Sequence, residues 1–237
     1  MAYHRSPGNG PVVIFCGGFM SDMTGTKAQA LGAFCRERGQ GYVRFDYHGH
    51  GQSSGAFADG TIGRWVDDAL AVIDMLNDAP VLLVGSSMGG WIMLLAALAR
   101  RQRVAGLVGI AAAPDFTRRM VEEEFDDEQR LALLHKGRVE MPSEYDDGAY
   151  IITQALIDDG NARCLLDGPI ALEIPVRLLH GMQDTAVPWQ TALTIAEALE
   201  SERVAVTLVK AGDHRLSEPG DITRLCAAVT EVSELID

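Results

Sequence analysis

Six short apolar runs recur along this chain, most of them separated by an amphipathic stretch, and that alternation leaves few folds open. The runs are Pro11–Cys16, Tyr42–Asp46, Val81–Gly85, Val104–Ala111, Val176–His180 and Val204–Val209. Helical spacing of apolar residues covers roughly Thr26–Arg38, Ile62–Asn77, Met88–Arg100, Pro188–Leu199 and Asp221–Ile236. Strands that are apolar throughout, rather than alternating, are buried on both faces, and helices of 10–15 residues between them supply the covering layers. The expectation is therefore an α/β chain with a mostly parallel sheet of about six or more strands and helices on both faces. At 237 residues it can form a single domain, 1–237, with a core large enough to need no staples.

Composition narrows the partners. A net charge of −13 disfavours nucleic acid and anionic membrane surfaces. The apolar runs are broken before they could span a bilayer, so no stable membrane insertion is expected. The opening MAYHRSPGNGPVV lacks the apolar core of a secretory signal. Cys16, Cys35, Cys164 and Cys226 are far apart, with no CxxC pair and no nearby His, so neither a metal site nor a disulfide framework is expected. A reducing, cytoplasmic setting follows, and no motif calls for a cofactor.

One segment interrupts the alternation. Asp115–Gly160, between the fourth and fifth strands, carries 13 acidic and 5 basic residues. Its FTRRMVEEEFDDEQRLALLH and AYIITQALIDD read as short amphipathic helices. Taken to residue 165, it reads as a helical cap insertion, 115–165, because loops at the C-terminal ends of strands build sites in such sheets. Phe116, Leu133, Leu134, Ile151 and Leu156 are expected to face inward, and Glu122–Glu124 and Asp126–Glu128 to face water. A decorative insertion with a solvated acidic face is the competing reading.

Between Val81 and Leu98 a strand-like run breaks into Gly85-Ser86-Ser87-Met88-Gly89 and resumes as an apolar helix. G-x-S-x-G at a strand end opening a helix makes a sharp turn that exposes the central hydroxyl, so Ser87 is the candidate nucleophile and Ser86 fills a variable position. A serine hydroxyl is a poor nucleophile without a base, so a His and an acid are required, in the order Ser, Asp or Glu, His. Asp184, past the strand VRLLH, and His214, past VAVTLV, meet that order. Of the other histidines, His4 is terminal, His135 lies in the insertion, and His180 reads as structural. His48 and His50 lie near the site without an acid in the correct order. Asp213 rivals Asp184, but an acid adjacent in sequence to the His usually points elsewhere.

The oxyanion hole of such a site needs two backbone N–H donors. Met88 follows the nucleophile, and Phe19, with Met20 as the alternative, lies in the loop Cys16–Asp22 after the first strand. The sequence GGFMSDMTGTK has neither the spacing nor the Gly-Lys-Ser/Thr order of a phosphate loop. Phe19, Met88 and Trp91 suit an apolar acyl chain.

With these residues in place, the chain resembles the α/β-hydrolase superfamily and, within it, the mitochondrial palmitoyl-protein thioesterase family and its bacterial relatives. The likeness rests on FMSDMTGTKA, YVRFDYHGHGQSSG, VGSSMGGWIMLLAA, MPSEYDDGAY, IPVRLLHGMQDTAVPW and GDHRLSEPGDI, which together span nearly the whole chain. Relatives often carry Pro where Gly17 stands. The resemblance implies an α/β-hydrolase fold with nucleophile Ser87, acid Asp184 and base His214. It also implies cleavage of fatty acyl thioesters on cysteine, or of acyl glucuronides, with a small molecule or an S-acylated protein as substrate. A small-ester carboxylesterase, a carbon–carbon bond hydrolase and a non-catalytic binding module are the other classes; the last normally requires a damaged triad, and none is visible.

Overall fold

The crossover from one strand to the next decides where this molecule can hold a site. The computed structural model describes residues 1–76, 78–142 and 149–236. Outside these lie Asn77, the last residue of one expected helix, Ser143–Gly148 of the MPSEYDDGAY block, and Asp237. In chain order the strands are β1 (Tyr3–Ser6), β2 (Asn9–Cys16), β3 (Gln40–Phe45), β4 (Val81–Ser86), β5 (Val104–Ile110), β6 (Arg138–Pro142), β7 (Ala149–Thr153), β8 (Val176–Gly181) and β9 (Val204–Val209). The helices are α1 (Thr26–Glu37), α2 (Ile62–Asp74), α3 (Met88–Ala99), α4 (Phe116–Arg119), α5 (Asp127–Lys136), α6 (Gln154–Asn161), α7 (Gln190–Ala198) and α8 (Pro219–Glu234).

Seven strands form one sheet in the order β1-β3-β2-β4-β5-β8-β9, and β6 pairs with β7 apart from it. All neighbours in the large sheet are parallel except β1, which runs antiparallel to β3. From β2 the chain steps outward to β3, then crosses back over β2 to β4. The reversal opens a crevice at the C-terminal ends of β2 and β4, where ligands bind in open α/β sheets.

Two apolar layers result from the period-2 alternation of strands buried on both sides. Val13, Phe15, Leu82 and Val84 face α1 and α8 through Leu31, Cys35, Leu225 and Val229. Ile14, Cys16, Val81 and Leu83 face the other way, into a layer that includes α2, α3 and α7. Phe116, Phe125, Leu133, Ile152 and Leu156 of segment 115–165 join this second layer. The sequence-based strand and helix positions hold to within a few residues. β1 is additional: YHRS is polar and mostly exposed, an edge strand without an apolar signature.

Segment 115–165 departs from an all-helical insertion. AYIIT pairs antiparallel with RVEMP as β7 and β6, as its aromatic and β-branched residues favour. Strand alternation therefore buries Ile152 completely and leaves Ile151 half-buried, where the helical reading had turned Ile151 inward. Leu134 is 72% exposed, also against expectation, because Leu133 takes the inward face of α5. Phe116 and Leu156 are buried, and Glu122–Glu124 and Asp126–Glu128 face solvent. The ends of the segment are clasped by one side chain: Asp115 accepts from the Leu165 N–H and the Leu166 N–H, each at 2.9 Å. Among the described residues, no helix is long and apolar enough to cross a membrane.

Candidate active site

Four loops converge on the crevice. The first is the turn between β4 and α3, where Ser87 adopts φ 55°, ψ −120°. A non-glycine residue held there costs about 1–3 kcal/mol and persists only when its surroundings fix it. The fixing bonds are visible: the Ser87 N–H donates to Ile110 O (2.9 Å), and Ser87 O accepts from Gly90 N–H (2.8 Å) and Ala113 N–H (3.1 Å). Both motif glycines are required by contact. A Cβ on Gly85 would lie 2.3 Å from Gly89 O, and one on Gly89 would lie 2.1 Å from Cys16 O.

The second and third loops leave β8 and β9 side by side. Gly181, at the end of β8, sits so close to the next loop that a Cβ there would be 2.3 Å from Gly212 O. That approach brings Asp184 and His214 together. His214 Nδ1 donates to Asp184 Oδ2 at 2.8 Å, and His214 Nε2 lies 3.1 Å from Ser87 Oγ. The Asp184 side chain is fully buried, that of His214 is 20% exposed, and Asp184 Oδ1 accepts from the N–H groups of Ala186 (2.9 Å) and Val187 (2.8 Å). Burial opposes ionisation of Asp184, but bonds from His180, His214 and the Val187 N–H outweigh it and hold the carboxyl well below the usual carboxylate range. Asp213 is exposed and accepts from the Leu216 N–H of its own loop at 2.9 Å, so the rival acid is used in a local turn.

The loop after β2 lies against the elbow: a Cβ on Gly18 would be 3.5 Å from Ser87 Cβ. Phe19 anchors this loop through edge contacts to Phe57 (4.8 Å), Phe116 (5.6 Å), Trp65 (5.9 Å) and Tyr150 (5.9 Å) between ring centroids. Met20 has φ 57° and an exposed side chain. Met88 opens α3, so its N–H is among the first-turn donors that have no partner within the helix.

A cavity of about 370 Å³ borders Ser87 and His214. Its lining includes Phe19 and Met20, but also Ser21, Lys27, Arg215 and Ser217, and no described residue of segment 115–165. Trp91 and Met88 are fully buried core rather than lining, contrary to an acyl-chain role. Lys27 was missed by sequence reading. Its helical position in GTK carries no signature, and only the fold brings α1 beside the His214 loop, where Lys27 Nζ donates to Arg215 O and lies 3.5 Å from Ser217 Oγ. Burial pushes its ammonium down to about 8; Asp213 and Asp221 raise it and Arg215 lowers it further. His48 and His50 stand off the cavity. His50 is buried against Tyr47, Phe57 and Trp65, and burial lowers its pKa despite the His48 carbonyl, Asp46 and Asp68.

Comparison with known proteins follows the same lines. Residues 9–141 match the family described as serine aminopeptidase, S33. The chain is 43% identical over its full length to a bovine (Bos taurus) palmitoyl-protein thioesterase ABHD10, mitochondrial, covering 76% of that protein. A hydrolase structure from Agrobacterium vitis S4 superimposes with a TM-score of 0.92 at 44% identity, covering 99% of this chain and 92% of that one. Mouse α/β hydrolase domain-containing protein 10 gives 0.90 at 40% identity, covering 99% and 94%. The chain belongs to the serine aminopeptidase S33 family of α/β hydrolases, and it is a hydrolase of ester or thioester bonds.

Proposed function

We propose that this chain is a palmitoyl-protein-thioesterase-like deacylase working through an acyl-enzyme on Ser87. The observation that carries the reading is the run of contacts from Ser87 Oγ through His214 to a buried Asp184. His214 Nε2 takes the Ser87 proton as Oγ attacks the acyl carbon, and the Phe19 and Met88 N–H groups hold the resulting oxyanion. The intermediate collapses, the C–S or C–O bond breaks, and the imidazolium returns its proton to the leaving group. Water then attacks the acyl-enzyme by the same route, releasing the fatty acid and restoring the Ser87 hydroxyl. A thiol of pKa about 8.5 leaves with less help than an alkyl alcohol.

Segment 115–165 acts in this reading as a cap on the acyl side, through Phe116 and Tyr150 behind Phe19. Four unpaired cysteines fit a reducing compartment. The relatives are named mitochondrial, which does not fit a plainly cytoplasmic setting, so a reducing compartment is the part of that reading retained.

A second reading has an observation of its own. Lys27 and Arg215 line the Ser87 cavity beside His214, the residue that protonates the leaving group in this reading, and Asp22 is the carboxylate among the lining residues. In a chain of net charge −13, a cavity lined by two cations and one carboxylate favours an anionic leaving group, as an acyl-glucuronide-type ester would supply. A kinetic panel of an S-palmitoyl peptide, its oxygen-ester analogue and an acyl glucuronide tests both. The thioester should give the highest kcat/KM; a clear preference for the glucuronide would reverse the order of the two readings, and turnover of none of the three would end both.

A further inference from the structure

Among the described residues, His180 is the buried titratable side chain that touches the candidate triad and that the reaction described above does not use. It sits on β8, held by the sheet, and its side chain is fully buried. Its Nε2 lies 3.1 Å from Asp184 Oδ2 and 3.1 Å from Val187 O. Both partners only accept, so Nε2 carries the hydrogen, while Nδ1 is buried with no partner among the described residues. Asp184 Oδ2 thus receives two imidazole donors, His180 from the strand side and His214 from the site side. Oδ1 is filled by two backbone N–H groups.

We propose that His180 is a positioning residue of the triad. Its Nε2–H fixes the Oδ2 lone pair toward His214 Nδ1 and draws off part of the carboxylate's charge. A carboxylate with fewer donors is a stronger base and holds an adjacent imidazolium more tightly. The second donor therefore keeps Asp184 oriented without trapping His214 in its protonated form. The Val187 carbonyl, sharing the same proton, ties the loop that carries Asp184 back to β8. The inference rests on reading Ser87, His214 and Asp184 as the triad, and failure of that reading would show separately, as turnover surviving Ser87→Ala.

The test is steady-state kinetics on an activated short-chain ester across pH, with His180→Leu and His180→Gln. Leu removes the donor at similar bulk, whereas the Gln amide nitrogen can reach where Nε2 stood. Besides the two histidines and Asp184, the ionisable groups bordering the site are Asp22, Lys27 and Arg215, with Asp213 and Asp221 acting on Lys27, and all are unchanged in both variants. His180→Leu should lower kcat by about ten-fold or more with little change in KM, and move the acid limb of the kcat profile to higher pH. His180→Gln should recover most of kcat and return the limb to its wild-type position. Equal impairment by Leu and Gln with an unmoved limb, or wild-type kinetics in Leu, would overturn the proposal. Should Leu fail to fold, nitrogen-15 imidazole shifts of the wild-type protein decide the matter. They should place the His180 proton on Nε2 and respond to Asp184→Asn; a proton on Nδ1 would contradict the assignment.

Discussion

Asp184 is where single atoms matter most, because four donors meet on one fully buried carboxylate. Asp184→Asn should reduce turnover by orders of magnitude, about 10⁴-fold by analogy with other serine triads, while the fold survives. Asp213→Asn, which alters a turn and removes a charge acting on Lys27, should leave kcat within a few-fold, and the opposite ranking would assign the acid wrongly. The depressed folded pKa also has a stability consequence. Its contribution is fully present above the ordinary carboxylate value of 3.8 and is lost as pH falls below it toward the folded value. Acid unfolding of Asp184→Asn should therefore be less steep than that of wild type in this range, read by circular dichroism. Lys27 makes a prediction of the opposite sign. Its ammonium, pushed down to about 8, is charged below that pH and neutral above it. KM for an ester with an anionic leaving group should rise as pH passes 8, and Lys27→Met should flatten that rise; an unaltered profile would remove Lys27 from substrate recognition.

At the scale of elements, the division between what sequence shows and what it hides is physical. The elbow was legible because G-x-S-x-G is a local geometric demand: strand, strained residue and helix are contiguous, and both glycines answer to contacts made within or beside the turn. The meeting of Asp184 and His214 with Ser87 was legible because chain order and strand ends put all three on loops at one end of the sheet. Lys27 and the second role of His180 were not, since each depends on a neighbour 188 or 4 residues away whose direction only the packed loops define. Segment 115–165 was misread in part because a five-residue hairpin strand and a short helix have the same apolar content, and Ile151-Ile152 satisfies either period. What that segment contributes is testable at its two rings on Phe19. Phe116→Leu and Tyr150→Leu remove aromatic area while keeping the layer filled. They should shift the ratio of long-acyl to short-acyl kcat/KM by about ten-fold, with an acetyl ester little affected. A chain-length preference indifferent to both changes would confine acyl selection to the Ser87 cavity and leave the segment a surface decoration.

For the whole molecule, the parallel sheet and its two covering layers follow from apolar inner strands buried on both faces, with β9 half-open at the edge, and the crevice follows from the reversal of strand order at β2 and β4. Neither the order of strands nor the polar edge strand β1 is written in periodicity, because pairing partners are chosen by three-dimensional packing. The scaffold then brings the loops after β2, β4, β8 and β9 to one end, and the chemistry rests on that convergence. The most direct measurement is rapid quench of the enzyme with an S-palmitoyl thioester, followed by peptide mass analysis. The account predicts a palmitoyl adduct on the peptide containing Ser87 and on that serine, absent in Ser87→Ala and unchanged in Ser86→Ala. Thioester hydrolysis that continues in Ser87→Ala, or an adduct on any other residue, would contradict it.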